Sequence, residues 1–419
     1  MKYKYTNIYE WTIYLILLLN LGLLNVDKDH TVLLSAFSGA ISVVLFLVYL
    51  SSKNKISNFW INVSVIFIIG LYIYNIVSTS LGWNTDVTTT YAISNDSGYL
   101  ILLVCFPFAC VLRDGNPNFL RNIARLGLFA LLLKNLVWLL YNFAHIKMFP
   151  GYFFSDTWFR TFAGISLLRM QGTFLDAFTF SYYCSDVFSK QKNSRKIKSI
   201  LAAIYVLLFN IAIYQSRAVY IAMIFSVVAW ITIVMFKSYN KLRNVFFVIV
   251  TIILIALVFK DQIASIISSF DATTKSDTSG STLMRQYALQ YYSSLWHQHN
   301  LWLGMGLSKL EGTFNIYYNV YLADIGLAAY LFEYGFVGMF FFSLPLLVGL
   351  GYVISKKIDT TRRVVNTCIL LVFDLLIQQI SLNMYWVGLV GIVPIYMGTL
   401  LFLLNDQKGS QKYEVYRSI

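Results

Sequence analysis

Long apolar runs alternate with short polar breaks along this chain, and one break is far longer than the rest. A helix that crosses a bilayer needs roughly 20 apolar residues. Runs near that length predict about twelve helices: 9–26, 32–50, 59–80, 98–112, 126–145, 173–189, 199–215, 218–236, 244–259, 335–354, 364–382 and 386–404. A shorter helix, roughly 316–333, is expected along the interface before the tenth. The long break is Lys260–Leu322. Its first part, D-A-T-T-K-S-D-T-S-G-S-T, has the composition of a tether. Its second part, L-M-R-Q-Y-A-L-Q-Y-Y-S-S-L-W-H-Q-H-N, does not. There Leu283, Tyr287, Leu289, Tyr291 and Leu295 can share an apolar side of a helix. A loop of this length and content is expected to cover a site rather than hang free. The expected architecture is a single all-α membrane domain over 1–419, with residues 260–334 as an outer loop of interfacial helices above that site.

Composition narrows the class. The 419 residues are 58% hydrophobic and 12% charged, where soluble domains carry about 25% charged residues. Only a polytopic membrane protein can place so much apolar surface. Cys105, Cys110, Cys184 and Cys368 fall inside apolar runs and read as small core residues, without metal-ligand spacing. The first apolar run lacks a small-residue cleavage site and reads as a first span. G-M-G at 304–306 is not followed by the lysine and serine of a nucleotide loop. No nucleotide, metal or other cofactor is expected, and no nucleic-acid partner. No internal repeat is evident, which disfavours a transporter built from two similar halves.

Charge sets an expected orientation. With the N-terminus inside, the inner segments hold 22 of the 32 Lys and Arg, the outer segments hold 9, and Lys134 lies within a span. Cytoplasmic loops are the richer ones. Both termini are therefore expected in the cytoplasm, with 145–172, the turn at Ser216–Arg217 and 260–322 outside. The outer arginines then stand out, because that face should be poor in them. Arg160 and Arg169 precede the sixth run, Arg217 joins two runs with almost no loop, and Arg285 sits on the long loop. Each alone reads as an interfacial anchor; several at one face suit a polyanion. Guanidinium grips phosphate with paired hydrogen bonds and keeps its charge at any relevant pH.

R-M-Q-G-T-F at 169–174, Q-S-R-A at 215–218, the arginine-bearing loop ending G-M-G, and N-V-Y-L-A-D-I-G-L-A-A-Y-L-F-E-Y-G-F-V-G from Asn319 to Gly338 resemble the Wzy-type O-antigen polymerase and O-antigen ligase family. The motif matches lie between about 160 and 340, in shared order and on one expected face. The resemblance implies the membrane fold of the C-type glycosyltransferases. It implies a site on the outer face of the bacterial plasma (inner) membrane. The implied substrate is an undecaprenyl-diphosphate-linked oligosaccharide, with a flippase and a chain-length regulator as partners. It also implies that Arg169, Arg217 and Arg285 bind the lipid diphosphate; the charge distribution adds Arg160 as a fourth candidate. Ligases of the family carry His-Asn where this chain has Tyr318-Asn319. That departure shifts the expected base to Asp324 or Glu333.

The chemistry is consistent with such residues. A sugar on a lipid diphosphate already has a good leaving group. The enzyme must stabilise the departing charge, which fixed cations do, and deprotonate an acceptor hydroxyl, which a carboxylate or histidine does. Three readings stay open: a repeat-unit polymerase, a ligase-type glycan transferase, and a flippase of another class. A flippase should carry cations along a path through the spans; here only Lys134 is central. His297 and His299 form an H-Q-H pair, and His299 is kept as a third candidate base. Lys134 and Asp374 are buried charges expected to find partners, Lys134 with an acidic or carbonyl group, for which Asp374 and Asp186 are the candidate acids.

Overall fold

Among the described residues the apolar runs fold as helices, while the breaks between them fold in several different ways. The computed structural model describes residues 2–417 apart from 25–29, 53–54, 85, 115, 117, 147, 154–158, 163–164, 189–192, 238–280, 309–310, 315–317, 356–358, 361, 381 and 387. The expected ninth run, 244–259, and the tether that follows it lie outside the described residues. The helices are α1 (Lys2–Asn20), α2 (His30–Ser51), α3 (Phe59–Ser80), α4 (Thr89–Asp96), α5 (Cys105–Asp114), α6 (Phe119–Ala144), α7 (Asp176–Phe188), α8 (Asn193–Phe209) and α9 (Arg217–Lys237). They continue as α10 (Ser281–Trp296), α11 (Leu327–Ile354), α12 (Arg363–Gln378) and α13 (Ile392–Arg417). Among the described residues, seven helical stretches are long and apolar enough to cross a membrane: Leu33–Ser51, Phe59–Ser80, Thr89–Asp114, Phe119–Ala144, Lys196–Tyr214, Arg217–Met235 and Leu327–Ile354. The protein is thus mostly helical, as the pattern predicts.

Thr89–Asp114 is a composite. A buried 3-10 segment, Ser97–Val104, joins α4 to α5. The 3-10 segment packs on α2, and α5 packs on α13. At the opposite flank, α12 packs on α7 and α9. Apolar side chains lie along these helices, including Phe108, Phe178 and Tyr396, all essentially inaccessible.

Two short antiparallel hairpins interrupt the helical pattern. β1 (Phe159–Phe162) pairs with β2 (Ile165–Leu168), and β3 (Glu311–Phe314) pairs with β4 (Tyr318–Tyr321). The second hairpin corrects an expectation, since a helix was expected over roughly 316–333. Y-N-V-Y favours a strand because its aromatic and β-branched residues suit a pleated, half-buried surface. A short 3-10 turn, Leu322–Ile325, follows, and α11 begins only at Leu327.

α11 breaks at Gly335, where φ is 64°. Such a backbone turn favours glycine. The freed backbone groups bond to the chain that precedes β3. Met305 N donates to Phe332 O (3.0 Å) and Gly306 N to Glu333 O (2.7 Å). Phe336 N and Val337 N donate to Leu301 O and Trp302 O, each at 3.2 Å. A Cβ on Gly335 would lie 2.2 Å from Trp302 O, and one on Gly304 2.3 Å from Glu333 O. The G-M-G segment is therefore threaded into the helix break, where bulkier residues cannot go.

The polar long loop carries its own small core. α10 presents Ala288, Tyr292 and Trp296, at spacing of four, to Val320 and Leu322 of the hairpin region and to Ala329 and Phe332 of α11. Tyr287, Tyr291 and Leu295 pack at its edge, while Leu289 is exposed. The expected helix over 282–296 is thus present and docked, with its buried stripe one residue round from the expected side.

Candidate functional site

The site is built where one helix, two irregular segments and the loop module meet. It starts with the backbone on either side of Arg169. Leu168 O accepts from Trp138 Nε1 at 2.8 Å, and Leu168 N donates to Asn142 Oδ1 at 2.8 Å. Gln171 O and Gly172 O accept from Lys134 Nζ at 3.2 and 2.9 Å. Met170 N donates to Ile213 O at 3.3 Å, and Gln171 N to Tyr152 O at 2.9 Å. Arg169 thus rides on a strap bonded to α6 and to the end of the α8 run.

Arg169 Nε donates to Tyr214 O at 2.7 Å, and its guanidinium lies 5.6 Å from the Tyr214 ring centre. Tyr214 closes a π-helical turn, Asn210–Tyr214, and Gln215 then adopts a left-handed φ of 53°. That turn reverses the chain so that Arg217 becomes the first residue of α9. A cation there adds to the partial positive charge that the helix N-terminus already carries. Arg169 and Arg217 are therefore joined through one turn, although 48 positions separate them in the sequence.

The loop module supplies the other side. Arg285, on α10, donates Nε to the backbone oxygen of Asp324 at 3.1 Å. Burial raises the Asp324 carboxyl above the ordinary aspartate range, and Arg285 and Arg169 both oppose that rise by their charge. Both guanidinium groups therefore act on this carboxyl. Desolvation disfavours the charged form and wins here. A carboxyl lifted in this way, beside cations and still half-buried rather than sealed, is a better proton acceptor than an ordinary aspartate.

The other expected residues are placed differently. Arg160 lies in β1 opposite Leu167; its side chain is outside the described residues. Glu333 is buried beneath the G-M-G segment, accepts from Ser308 N at 3.4 Å, and has Asp96 as its charged neighbour. Asn75 Nδ2 joins that group, donating to Asp96 Oδ2 at 2.7 Å and to Tyr334 OH at 2.9 Å. His297 and His299 stand exposed just past α10, with His297 Nδ1 within 2.6 Å of Ser293 O.

Lys134 has neither of its two expected acid partners. Asp186 is bound by Arg363 at 2.6 Å and by Ser199 Oγ at 2.6 Å. Asp374 accepts from Gln378 Nε2 at 3.3 Å. The acid that faces Lys134 is Asp176, at the start of α7 and just beyond the arginine strap. Tyr214 and Asp176 were both within quoted motifs or adjacent to them, but carry no spacing that singles them out. Their role is visible only once the strap and the π turn are seen together. No group of three or more His, Cys, Asp or Glu that could hold a metal occurs among the described residues.

Comparison with curated proteins finds no match. A family model does match part of the chain. It covers the stretch that bears Arg217, Arg285, Asp324 and Glu333, and leaves Arg160 and Arg169 outside it. Residues 202–343 match the O-antigen ligase family model, which bears out the resemblance read from the motifs.

Proposed function

We propose that this protein is a membrane glycosyltransferase that polymerises lipid-linked oligosaccharide repeat units. It moves the growing glycan from its undecaprenyl diphosphate to a hydroxyl of the next lipid-linked unit. The family match supports glycan transfer at a coarse level. The observation that carries the finer reading is the convergence of Arg169 and Arg285 on the Asp324 carboxyl.

In this mechanism Arg169, Arg217 and Arg285 hold the diphosphate. They stabilise the charge that develops as the bond from the anomeric carbon to the phosphate oxygen breaks. Asp324 removes the proton from the incoming hydroxyl, whose oxygen forms the new glycosidic bond. The transition state has oxocarbenium character, as in glycoside hydrolysis. The chain's own cations and carboxylate suffice for each step, so the mechanism uses no metal or nucleotide. The site opens on the outer face of the plasma membrane, with both termini cytoplasmic, in keeping with the Lys and Arg distribution.

Deleting the gene in its host tests the reading. Loss of polymer with a single repeat unit still exported is the expected result. A full set of polymer lengths that is no longer joined to its final acceptor would assign the ligase reaction instead. Loss of all exported units would assign the flippase.

A further inference from the structure

The strap that carries Arg169 is held by three side chains of one helix. Lys134, Trp138 and Asn142 recur every four residues along α6 and so share one face. Each bonds the backbone within three residues of Arg169. Asn142 Oδ1 takes Leu168 N, Trp138 Nε1 gives to Leu168 O, and Lys134 Nζ gives to Gln171 O and Gly172 O. Asn142 is itself oriented by a bond from its Nδ2 to Trp138 O at 3.1 Å.

Lys134 is too deeply buried to meet substrate, at 2% exposure. Its ammonium lies 5.4 Å from the Tyr152 ring centre. Asp176 faces it, and Asp176 Oδ1 accepts from Thr173 N at 3.1 Å, so the pair spans the far side of the strap. A buried ammonium normally reaches an acid or water; here Lys134 Nζ donates to two main-chain carbonyls of the segment that presents Arg169. Carbonyl groups of an irregular segment in a membrane bundle need such donors, because lipid supplies none.

We propose that the Lys134–Trp138–Asn142 face of α6, with Asp176, is a positioning device that aims Arg169 at the diphosphate. It rests on the reading that Arg169 binds diphosphate. These residues touch no substrate. They fix the height of the strap against Tyr214, and thereby the direction in which the guanidinium points. A cation that is mis-aimed by about 1 Å loses much of its effect on a transition state.

The test uses the full-length protein in nanodiscs and undecaprenyl diphosphate itself as the probe, which requires no knowledge of the sugar. Affinity is measured for the parent, Arg169→Ala, Asn142→Ala, the charge-neutral pair Lys134→Met with Asp176→Asn, and each of the latter two combined with Arg169→Ala. Arg169→Ala should weaken binding ~10–100-fold. Asn142→Ala and the neutral pair should each weaken it at least ~5-fold, yet change it by less than ~2-fold once Arg169 is absent, since coupled residues are not additive. Losses that persist in full without Arg169 would overturn the proposal, as would unchanged affinity in both variants while Arg169→Ala is impaired. If Arg169→Ala itself binds normally, the diphosphate reading fails instead. Asn142 lies near the end of α6 and is half-buried, so its variant decides the matter even if the neutral pair does not fold.

Discussion

The two sides of the candidate site are held in place by different means. On the α6 side, Arg169 sits on a strap tied by hydrogen bonds to Lys134, Trp138, Asn142, Tyr152 and Ile213. On the loop side, Arg285 and Asp324 belong to a module with its own small apolar core, and Arg285 Nε meets Asp324 at its backbone oxygen. The first arrangement is a polar lattice within the helix bundle. The second is a lid-like unit whose Tyr292 and Trp296 pack with Ala329 and Phe332 of α11. A fixed anion grip beside a separately cored base carrier would let the lid admit an acceptor without disturbing the grip.

Asp324→Asn should abolish glycan transfer while undecaprenyl diphosphate still binds, because the amide cannot accept the proton. Loss of binding together with transfer would move Asp324 from base to structural support. Trp296→Ala should destabilise the loop module by about 3–5 kcal/mol, the usual cost of removing a buried large aromatic. Hydrogen exchange should then rise across Ser281–Trp296 and β4 and stay slow in α6 and α7. Equal loosening of both regions would deny that the module has a separate core.

Arg169→Ala and Arg285→Ala should each lower transfer by ~10–100-fold, the cost of one charge-assisted phosphate contact. Lysine should rescue poorly at Arg217 if its grip is bidentate. Accumulation of each variant in the membrane, checked by immunoblot, separates these effects from folding. The smallest effect concerns pH. Transfer should fall on acidification as Asp324 gains its proton, with the limb above the ordinary aspartate range because burial raises this carboxyl. Arg285 opposes that rise, so Arg285→Ala should move the limb to still higher pH in the residual activity. Movement to lower pH would contradict the placement of Arg285 beside Asp324.

These expectations also mark what the sequence could reveal. Apolar runs announce bundle helices directly, because a membrane segment must satisfy its backbone internally. α10 was legible for the same reason, from apolar residues at helical spacing. The β3–β4 hairpin was not, because a four-residue strand has too little pattern to compete with a helical reading of N-V-Y-L-A-D-I-G. The break at Gly335 was likewise hidden. A glycine in an apolar run does not reveal that Trp302 O and Leu301 O will accept its neighbours' amide hydrogens. Lys134 was read as a buried charge in need of a partner, which was sound. A main-chain carbonyl was one of the expected kinds of partner, but which carbonyls bond it could not be read, because they leave no mark in a sequence while Asp374 and Asp186 do. The arginines were found because the outer face should hold few of them. What brings them together, a π turn and a strap, depends on contacts between distant segments.

The central claim is that the strap and the loop module share one diphosphate. A structure of the full-length protein with bound undecaprenyl diphosphate addresses it directly. Phosphate oxygens should lie within about 3 Å of guanidinium nitrogens of both Arg169 and Arg285, with the Asp324 carboxyl facing the same cavity. A diphosphate held by only one of these arginines, or bound beside Glu333 and Asp96 instead, would contradict it.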